Sequence, residues 1–380
     1  MVAPPGKADT TMSTTTASPA APSTPAPGAE KKALFTDWLR RELGGDVEIT
    51  GWDAPEGVGH SNETILVEAR SGKGDLSLVV RVQAEPPAVF PHYDLSLQCE
   101  CMRRVAAHSD VPVPRVRWFD PQANVFGRPF YVMDRIDGTV PADRLPYTMS
   151  GWLFDASPAQ QTTLVESSLT VLAAIHRIDW KKAGLALLDR PEHGATGLGQ
   201  QLAWWISLSE WVRQGRPQPT IDGATAWLRS HLPSPSGPTV LNWGDARLSN
   251  LMYRDFRPVA VLDWEMATLG PAEVDVGWFL FFQRFFSEGL GVPDLPGFPA
   301  RAAALAHYEK LAGRELDDLF FYEVFAAWRN ATVMLRIADI YETRGFLSPE
   351  SGAGQNNVAT RLLARMLDLP SPGDPGGPFG

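Results

Sequence analysis

Cysteine is almost absent from this chain. Of 380 residues only Cys99 and Cys101 are cysteines. A Cys-x-Cys pair is too tightly spaced for an ordinary disulfide, and without further Cys or a nearby His it is a poor metal site. Reduced thiols on a helix are the expectation. A surplus of positive charge is also missing. Lys and Arg number 34 against 44 Asp and Glu, a formal net charge of −10. This argues against a nucleic-acid binder, which normally shows a basic face. No apolar run reaches the roughly 18–20 residues of a membrane span. The longest candidate, residues 274–286, is interrupted by Asp275, Gln283 and Arg284. The N-terminal segment lacks the apolar middle of a signal peptide. The reading is a soluble, cytoplasmic protein with neither a nucleic-acid nor a membrane partner.

What is present suits a globular protein larger than one ordinary core. Hydrophobic residues make up 44% of the chain, and the length points to two lobes plus tails. Residues 1–29 and 370–380 read as tails, because Ala, Pro, Thr, Ser and Gly cannot bury enough surface to offset their ordering entropy. A helix is expected over 31–43, with Leu34, Phe35, Trp38, Leu39 and Leu43 at helical spacing. Strands follow over 47–52, 65–70 and 76–82, an antiparallel meander. The turn between the first two carries Gly57 and Gly59, then Ser61 and Asn62. Glycine lets a backbone approach a ligand closely, so such a turn can close over phosphates, although a plain hairpin turn explains it as well. The third strand holds Arg81 between Val80 and Val82, facing solvent or a ligand. A helix over 95–108 contains Glu100, either solvated or the partner of Arg81. Strands over 116–120 and 129–135 complete this part. Met133, Asp134 and Ile136 end the last of them before Asp137 and Gly138, as an inter-lobe hinge would. The lobes are therefore set at 30–137 and 138–369.

The second lobe is helical over 158–178, 200–215, 224–232 (capped by Asp222), 300–312, 317–344 and 357–367. Trp204, Trp205 and Trp211 lie on the second of these helices. A polar segment interrupts the helices. A strand is expected over 239–242, a loop over 243–249, strands over 251–253 and 259–262, and a chain break over 268–271. Asp245 is followed five residues later by Asn250, and Asp263 comes thirteen further on. Two carboxylates and an amide on adjoining loops suit magnesium, which takes oxygen ligands and keeps waters for substrate phosphates. A carboxylate free of metal can act as a base toward a hydroxyl. Asp275, at the start of a very apolar helix, needs backbone N–H groups or an Arg as partner.

Asp245-Ala-Arg-Leu-Ser-Asn250 resembles the Asp-x-x-x-x-Asn catalytic loop of kinases. With Asp263-Trp264-Glu265 and Gly270-Pro271 ahead of Asp275, the chain resembles the aminoglycoside phosphotransferase (APH) family, in wording closest to its mycobacterial branch. The resemblance runs from about Gly51 to the end of the long C-terminal helix. It implies an α+β, bilobal protein-kinase-like fold, with a small β-rich N-lobe holding one main helix and a larger, mostly helical C-lobe. It implies that Asp245 accepts or orients the substrate hydroxyl and that Asn250 and Asp263 hold Mg2+. Gly57, Gly59, Ser61 and Asn62 would lie at the nucleotide phosphates. Arg81 stands where the family has a strand Lys, Glu100 would pair with it, and Met133, Asp134 and Ile136 would form the adenine-binding hinge. His176 matches a helix-end motif of structural role. Trp243 replaces the family's His. The implied activity is ATP- and Mg2+-dependent phosphorylation of a small-molecule hydroxyl, with GTP as the other possible donor. The acceptor is an aminoglycoside, hence antibiotic resistance, or a less polar compound such as a hydroxy-acyl metabolite, to which the many Trp and Phe residues are better suited. The substitutions Arg81 and Trp243 motivate a second reading, a non-catalytic kinase-like protein that binds a nucleotide or apolar ligand.

Overall fold

The computed structural model describes residues 27–54, 62–122, 124–234 and 237–373. Gly57, Gly59 and Ser61, and most of the two expected tails, lie outside them.

α1 (Pro27–Leu43) starts before residue 31 and leads into β1 (Val47–Asp53), β2 (Asn62–Ser71) and β3 (Gly74–Gln83). α2 (Leu95–His108) follows, opened by Asp94, whose carboxylate accepts the Leu97 N–H at 3.0 Å. Next come β4 (Val116–Asp120) and β5 (Phe130–Asp134). The five strands form one antiparallel sheet in the order β1-β2-β3-β5-β4. Side chains alternate across a strand, and β3 shows what that does here. Val80 and Val82 enter a core with Phe35, Trp38 and Leu39 of α1. Val79 points the other way, into the larger core shared with α2. Arg81 shares Val79's face and so looks toward the cleft, not toward α1.

The C-lobe begins with α3 (Pro158–His176), α4 (Leu198–Arg213) and α5 (Pro219–Ser230). α5 starts five residues before the expected 224. Pro219 supplies a helical φ at its first position. Asp222 therefore lies inside the helix rather than capping it, accepting the Gln218 N–H at 3.0 Å and pairing with Arg213. β6 (Thr239–Asn242), β7 (Leu251–Arg254) and β8 (Arg257–Val261) match expectation. Residues 268–271 do not simply break the chain. They form β9 (Thr268–Pro271), which pairs antiparallel with β6 from Thr239–Pro271 to Asn242–Thr268. The Asn242 side-chain amide adds a bond to the Pro271 carbonyl at 3.1 Å. α6 (Glu273–Phe286) is apolar around most of its surface because it is enclosed except at Gln283, Arg284 and Phe285. α7 (Arg301–Ala312), α8 (Leu319–Thr343) and α9 (Val358–Met366) complete the lobe, with α8 packed along α6. Among the described residues no helix is long and apolar enough to cross a membrane.

The lobes touch at several points. The Val261 N–H reaches the Pro112 carbonyl at 2.7 Å, and just past the hinge, within the C-lobe, Thr139 and Tyr253 exchange backbone bonds at 2.9 and 2.8 Å. The loop from β3 to α2 crosses to the helical side. Arg336 of α8 donates to the Ala88 carbonyl at 2.8 Å, and Phe90 packs against Trp204 and Trp205 of α4.

Candidate active site

The turn after β6 is built around one buried carboxylate. Asp275, on the first turn of α6, is 0% exposed. Its Oδ2 accepts the Trp243 N–H at 2.7 Å and His176 Nε2 at 3.1 Å, and its Oδ1 accepts the Gly244 N–H at 3.0 Å. Backbone N–H groups are thus the partners that a carboxylate on so apolar a helix requires. His176 is held from the other side by the Tyr308 hydroxyl at 2.6 Å. Gly244 has φ +93°, and a Cβ there would lie 2.0 Å from the Met266 carbonyl oxygen, so only glycine fits. Trp243 takes up a tethering role of its own. Its indole N–H donates to the Leu262 carbonyl at 2.8 Å, tying the turn to the residue before Asp263.

Asp245, the next residue, is fixed at both oxygens. Trp278 Nε1 donates to Oδ1 at 2.8 Å, Arg247 Nε reaches the two oxygens at 3.0 and 3.1 Å, and Asn250 Nδ2 donates to Oδ2 at 2.7 Å. Arg247 also pairs with Asp143, which accepts from Ser249 as well. A carboxylate held by three donors is fixed rather than free to rotate.

Asp263 follows β8 with φ +56°, a left-handed conformation that aspartate tolerates better than most residues. Its Oδ1 is buried and has no hydrogen-bond partner among the described residues. Burial raises its pKa, with Asp245 adding to the rise while Arg81 and Arg247 oppose it. A buried carboxylate oxygen without a donor, beside a second carboxylate, is what a cation site needs. Asn250 uses its amide nitrogen on Asp245, which leaves its carbonyl oxygen for a metal. These donors fit Mg2+, a hard cation bound by one or two protein oxygens plus phosphates and waters. Among the described residues no three His, Cys, Asp or Glu side chains converge on one point, so substrate phosphate oxygens would have to complete the shell.

Arg81 reaches this region from the sheet. Its Nη1 donates to Thr64 Oγ1 across the strand pair at 2.8 Å. Burial pulls its pKa down, but Tyr131, Asp263 and Glu265 around it hold it above the ordinary value. Glu100 is not among its neighbours. It pairs instead with Arg104, one helical turn on, at 2.7 Å. The Arg104 guanidinium is anchored in turn on the Gly184 carbonyl at 2.7 Å. The expected Arg81–Glu100 pair is therefore not formed, and the carboxylates that act on Arg81 electrostatically are Asp263 and Glu265. Asn62 lies two residues from Thr64, on the same face of β2. It is 4% exposed, and neither atom of its amide has a partner among the described residues. At the hinge, the Asp134 N–H is taken by the Arg115 carbonyl at 3.0 Å and the Arg135 N–H by the Ser77 carbonyl at 2.9 Å. Met133 is buried within the sheet. Ile136 is thus the first hinge residue whose N–H is unclaimed among the described residues.

Residues 55–316 match the family model described as the phosphotransferase enzyme family, APH. The chain belongs to this family. A solved structure from Ralstonia eutropha, provisionally described as an aminoglycoside phosphotransferase, superposes with a TM-score of 0.66 at 25% identity, covering 88% of this chain and 96% of the other. The GDP and kanamycin complex of APH(2")-IIIa superposes with a TM-score of 0.57 at 14% identity, covering 88% and 98%. The fold is accordingly the bilobal kinase-like fold of the APH family. Among curated proteins, the probable acyl-CoA dehydrogenase IBR3 of Arabidopsis thaliana is 25% identical over 330 residues, and acyl-CoA dehydrogenase family member 11 of Rattus norvegicus is 26% identical over 311. These alignments cover 82% and 79% of this chain, but only 38% of either relative.

Three site residues of this APH-family chain escaped the sequence reading. Arg247 lay unremarked inside the loop motif. Trp278 sits three residues after Asp275, one helical turn on, which puts both on the face of α6 toward the loop. Arg329 is a lone cation in the apolar middle of α8, and its Nη2 donates to the Gly244 carbonyl at 3.0 Å.

Proposed function

We propose that the protein transfers the γ-phosphoryl group of a nucleoside triphosphate to a hydroxyl of a small molecule. The observation that carries this is the fixed Asp245 carboxylate with the buried, donor-free oxygen of Asp263 close enough to act on it electrostatically, and Arg81 within the same electrostatic reach of Asp263. Asp245 orients the acceptor hydroxyl and takes its proton as the hydroxyl oxygen bonds to the γ-phosphorus. The bond from that phosphorus to the β–γ bridging oxygen breaks, and the nucleoside diphosphate departs. Asn250 and Asp263 hold Mg2+, which when bound neutralises phosphate charge. Arg81 and the Asn62 amide lie on the phosphate side. The Ile136 N–H is the group offered to the base. ATP is the expected donor, and GTP fits the same backbone contact; GDP occupies the kanamycin enzyme named above. In phosphoryl transfer, positioning and electrostatics supply most of the acceleration.

For the acceptor we favour a weakly charged hydroxylated compound with an apolar body over an aminoglycoside. A polycation needs spare carboxylates. In the C-lobe Glu273 is bound to Arg314, Glu323 to Arg301, Asp339 to Arg216 and Asp143 to Arg247. Beside Asp245 stand instead Trp278 and, packed on it, Phe282. The relatives named as acyl-CoA dehydrogenases support a hydroxy-acyl compound.

The test is a screen of hydroxylated acceptors with ATP or GTP and Mg2+, repeated with Asp245→Asn. The active pair should lose ~10²–10⁴-fold in rate, the range for a general base, with nucleotide affinity unchanged. Equal turnover by Asp245→Asn would remove Asp245 from the proposed role. Nucleotide binding without Mg2+ and without turnover on any acceptor would instead favour a non-catalytic binding protein.

A further inference from the structure

Behind Asp245, on the side of its Oδ1, the C-lobe buries a cation that makes no ion pair among the described residues. Arg329 is 2% exposed. One nitrogen, Nη2, holds the Gly244 carbonyl, while Nε and Nη1 have no hydrogen-bond partner among the described residues. The guanidinium is set among aromatic rings, 4.2 Å from Trp278, 4.6 Å from Trp205 and 5.4 Å from Phe325. Burial lowers its pKa to about 10, with Asp275 and Asp245 opposing the fall, so it stays charged at neutral pH.

Aromatic faces attract a desolvated cation. They do not replace a carboxylate as hydrogen-bond acceptor, and a buried charge remains costly until it is paired and hydrogen-bonded. Nη2 keeps a second N–H beside its bond to Gly244, so a carboxylate can take two parallel bonds from the edge of the guanidinium that Gly244 leaves free. Trp278 connects this cation to the chemistry. One indole stacks on Arg329 and donates its N–H to Asp245. The guanidinium and the carboxylate proposed to face the acceptor hydroxyl are therefore neighbours of one and the same ring. Trp205, the other stacked ring, is covered by Phe90, which the N-lobe carries across the cleft. With Arg329 only 2% exposed, a ligand carboxylate reaches it only if part of this aromatic cover moves aside.

We propose that Arg329 selects the acceptor: it receives a carboxylate belonging to the molecule whose hydroxyl faces Asp245, so that the preferred acceptors are hydroxy acids with an apolar chain. This rests on the phosphotransferase reading above for the direction of the hydroxyl, but the carboxylate site can be tested without any turnover.

The full chain is titrated with octanoate and with octanamide, without nucleotide or Mg2+, following tryptophan fluorescence and heat of binding. The two probes share a chain and differ in charge. Octanoate should bind about tenfold or more tightly than octanamide, as hydrogen bonds to a charged group warrant. Arg329→Met should reduce octanoate to the octanamide level, and Arg329→Lys should restore part of the difference. Equal affinity for both probes in the unmodified chain overturns the proposal, as does an undiminished preference in Arg329→Met. Should Arg329→Met not fold, the first comparison decides alone. A failed acceptor screen with selective octanoate binding would overturn the phosphotransferase reading and leave the anion site standing.

Discussion

Asp275→Asn is the most searching single change, because the substitution keeps the volume and removes only the charge. The carboxylate has three donors converging on two oxygens. The asparagine amide has one oxygen. Its best orientation places that oxygen where Oδ2 lies, keeping Trp243 N–H and His176. The amide NH2 then points at the Gly244 N–H, donor against donor. One charge-assisted bond is lost, worth about 1.5–3 kcal/mol, and two buried donors are left facing each other at about 1–3 kcal/mol. The remaining bonds weaken because the acceptor is neutral. The expected loss is about 3–5 kcal/mol, similar to breaking a buried ion pair. For a unit of the C-lobe's size that corresponds to a fall in Tm of about 6–10 °C. The assay is thermal unfolding followed by tryptophan fluorescence, with the C-lobe transition read separately, since a bilobal chain need not unfold in one step. A second expectation sharpens the test. Asp275 is one of two carboxylates that support the charge on Arg329. Adding Arg329→Met to Asp275→Asn should cost less than the sum of the two changes, as coupled neighbours do. A Tm within about 2 °C of the parent (roughly 1 kcal/mol), or strict additivity, would refute the view that Asp275 anchors the loop.

Two further outcomes are expected. Glu100→Gln should leave nucleotide affinity unchanged and alter stability by no more than about 1 kcal/mol, because its partner is the half-exposed Arg104 rather than Arg81; a tenfold weaker nucleotide Kd in equilibrium binding would restore the Arg81–Glu100 pair. Cys99 and Cys101 are buried with thiol pKa values pushed up to about 12 by desolvation, so neither should be alkylated by iodoacetamide at pH 8 until the protein is unfolded, as mass spectrometry would register.

Much of the architecture was legible because it rests on periodicity. α2 and β4 fall on their predicted bounds, since apolar spacing in each is unambiguous. Asp245, Asn250 and Asp263 were singled out by their spacing and by the resemblance of their segment to a kinase catalytic loop, and the structure brings Asp245 and Asn250 to 2.7 Å. What failed depends on tertiary choice. Thr268–Pro271 contains a glycine and a proline, which locally signal a break. It becomes a strand because β6 needs a partner and the Pro271 nitrogen, at the strand end, has no donor to offer. Glu100 had two cations within reach, and only the folded chain shows that the helical neighbour wins. Asp222 looked like a cap because Pro219, three residues earlier, was not used as the start signal. Arg329 could have been noticed, since an arginine between Trp328 and Asn330 in a long apolar helix needs a reason to be there.

The pairing of β6 with β9 has a topological consequence. It draws the chain into a loop whose neck is the ladder from Thr239 to Asn242 and whose bight contains Asp245, Asn250 and Asp263, with the β7–β8 hairpin folded inside it. Opening the neck releases all three residues together. The candidate machinery is therefore one cooperative unit in local unfolding. Its backbone amides should open together, held by the four-residue ladder, by the Asn242 and Asp275 side chains that clasp it, and by the ties of the enclosed hairpin to Thr139 and Pro112.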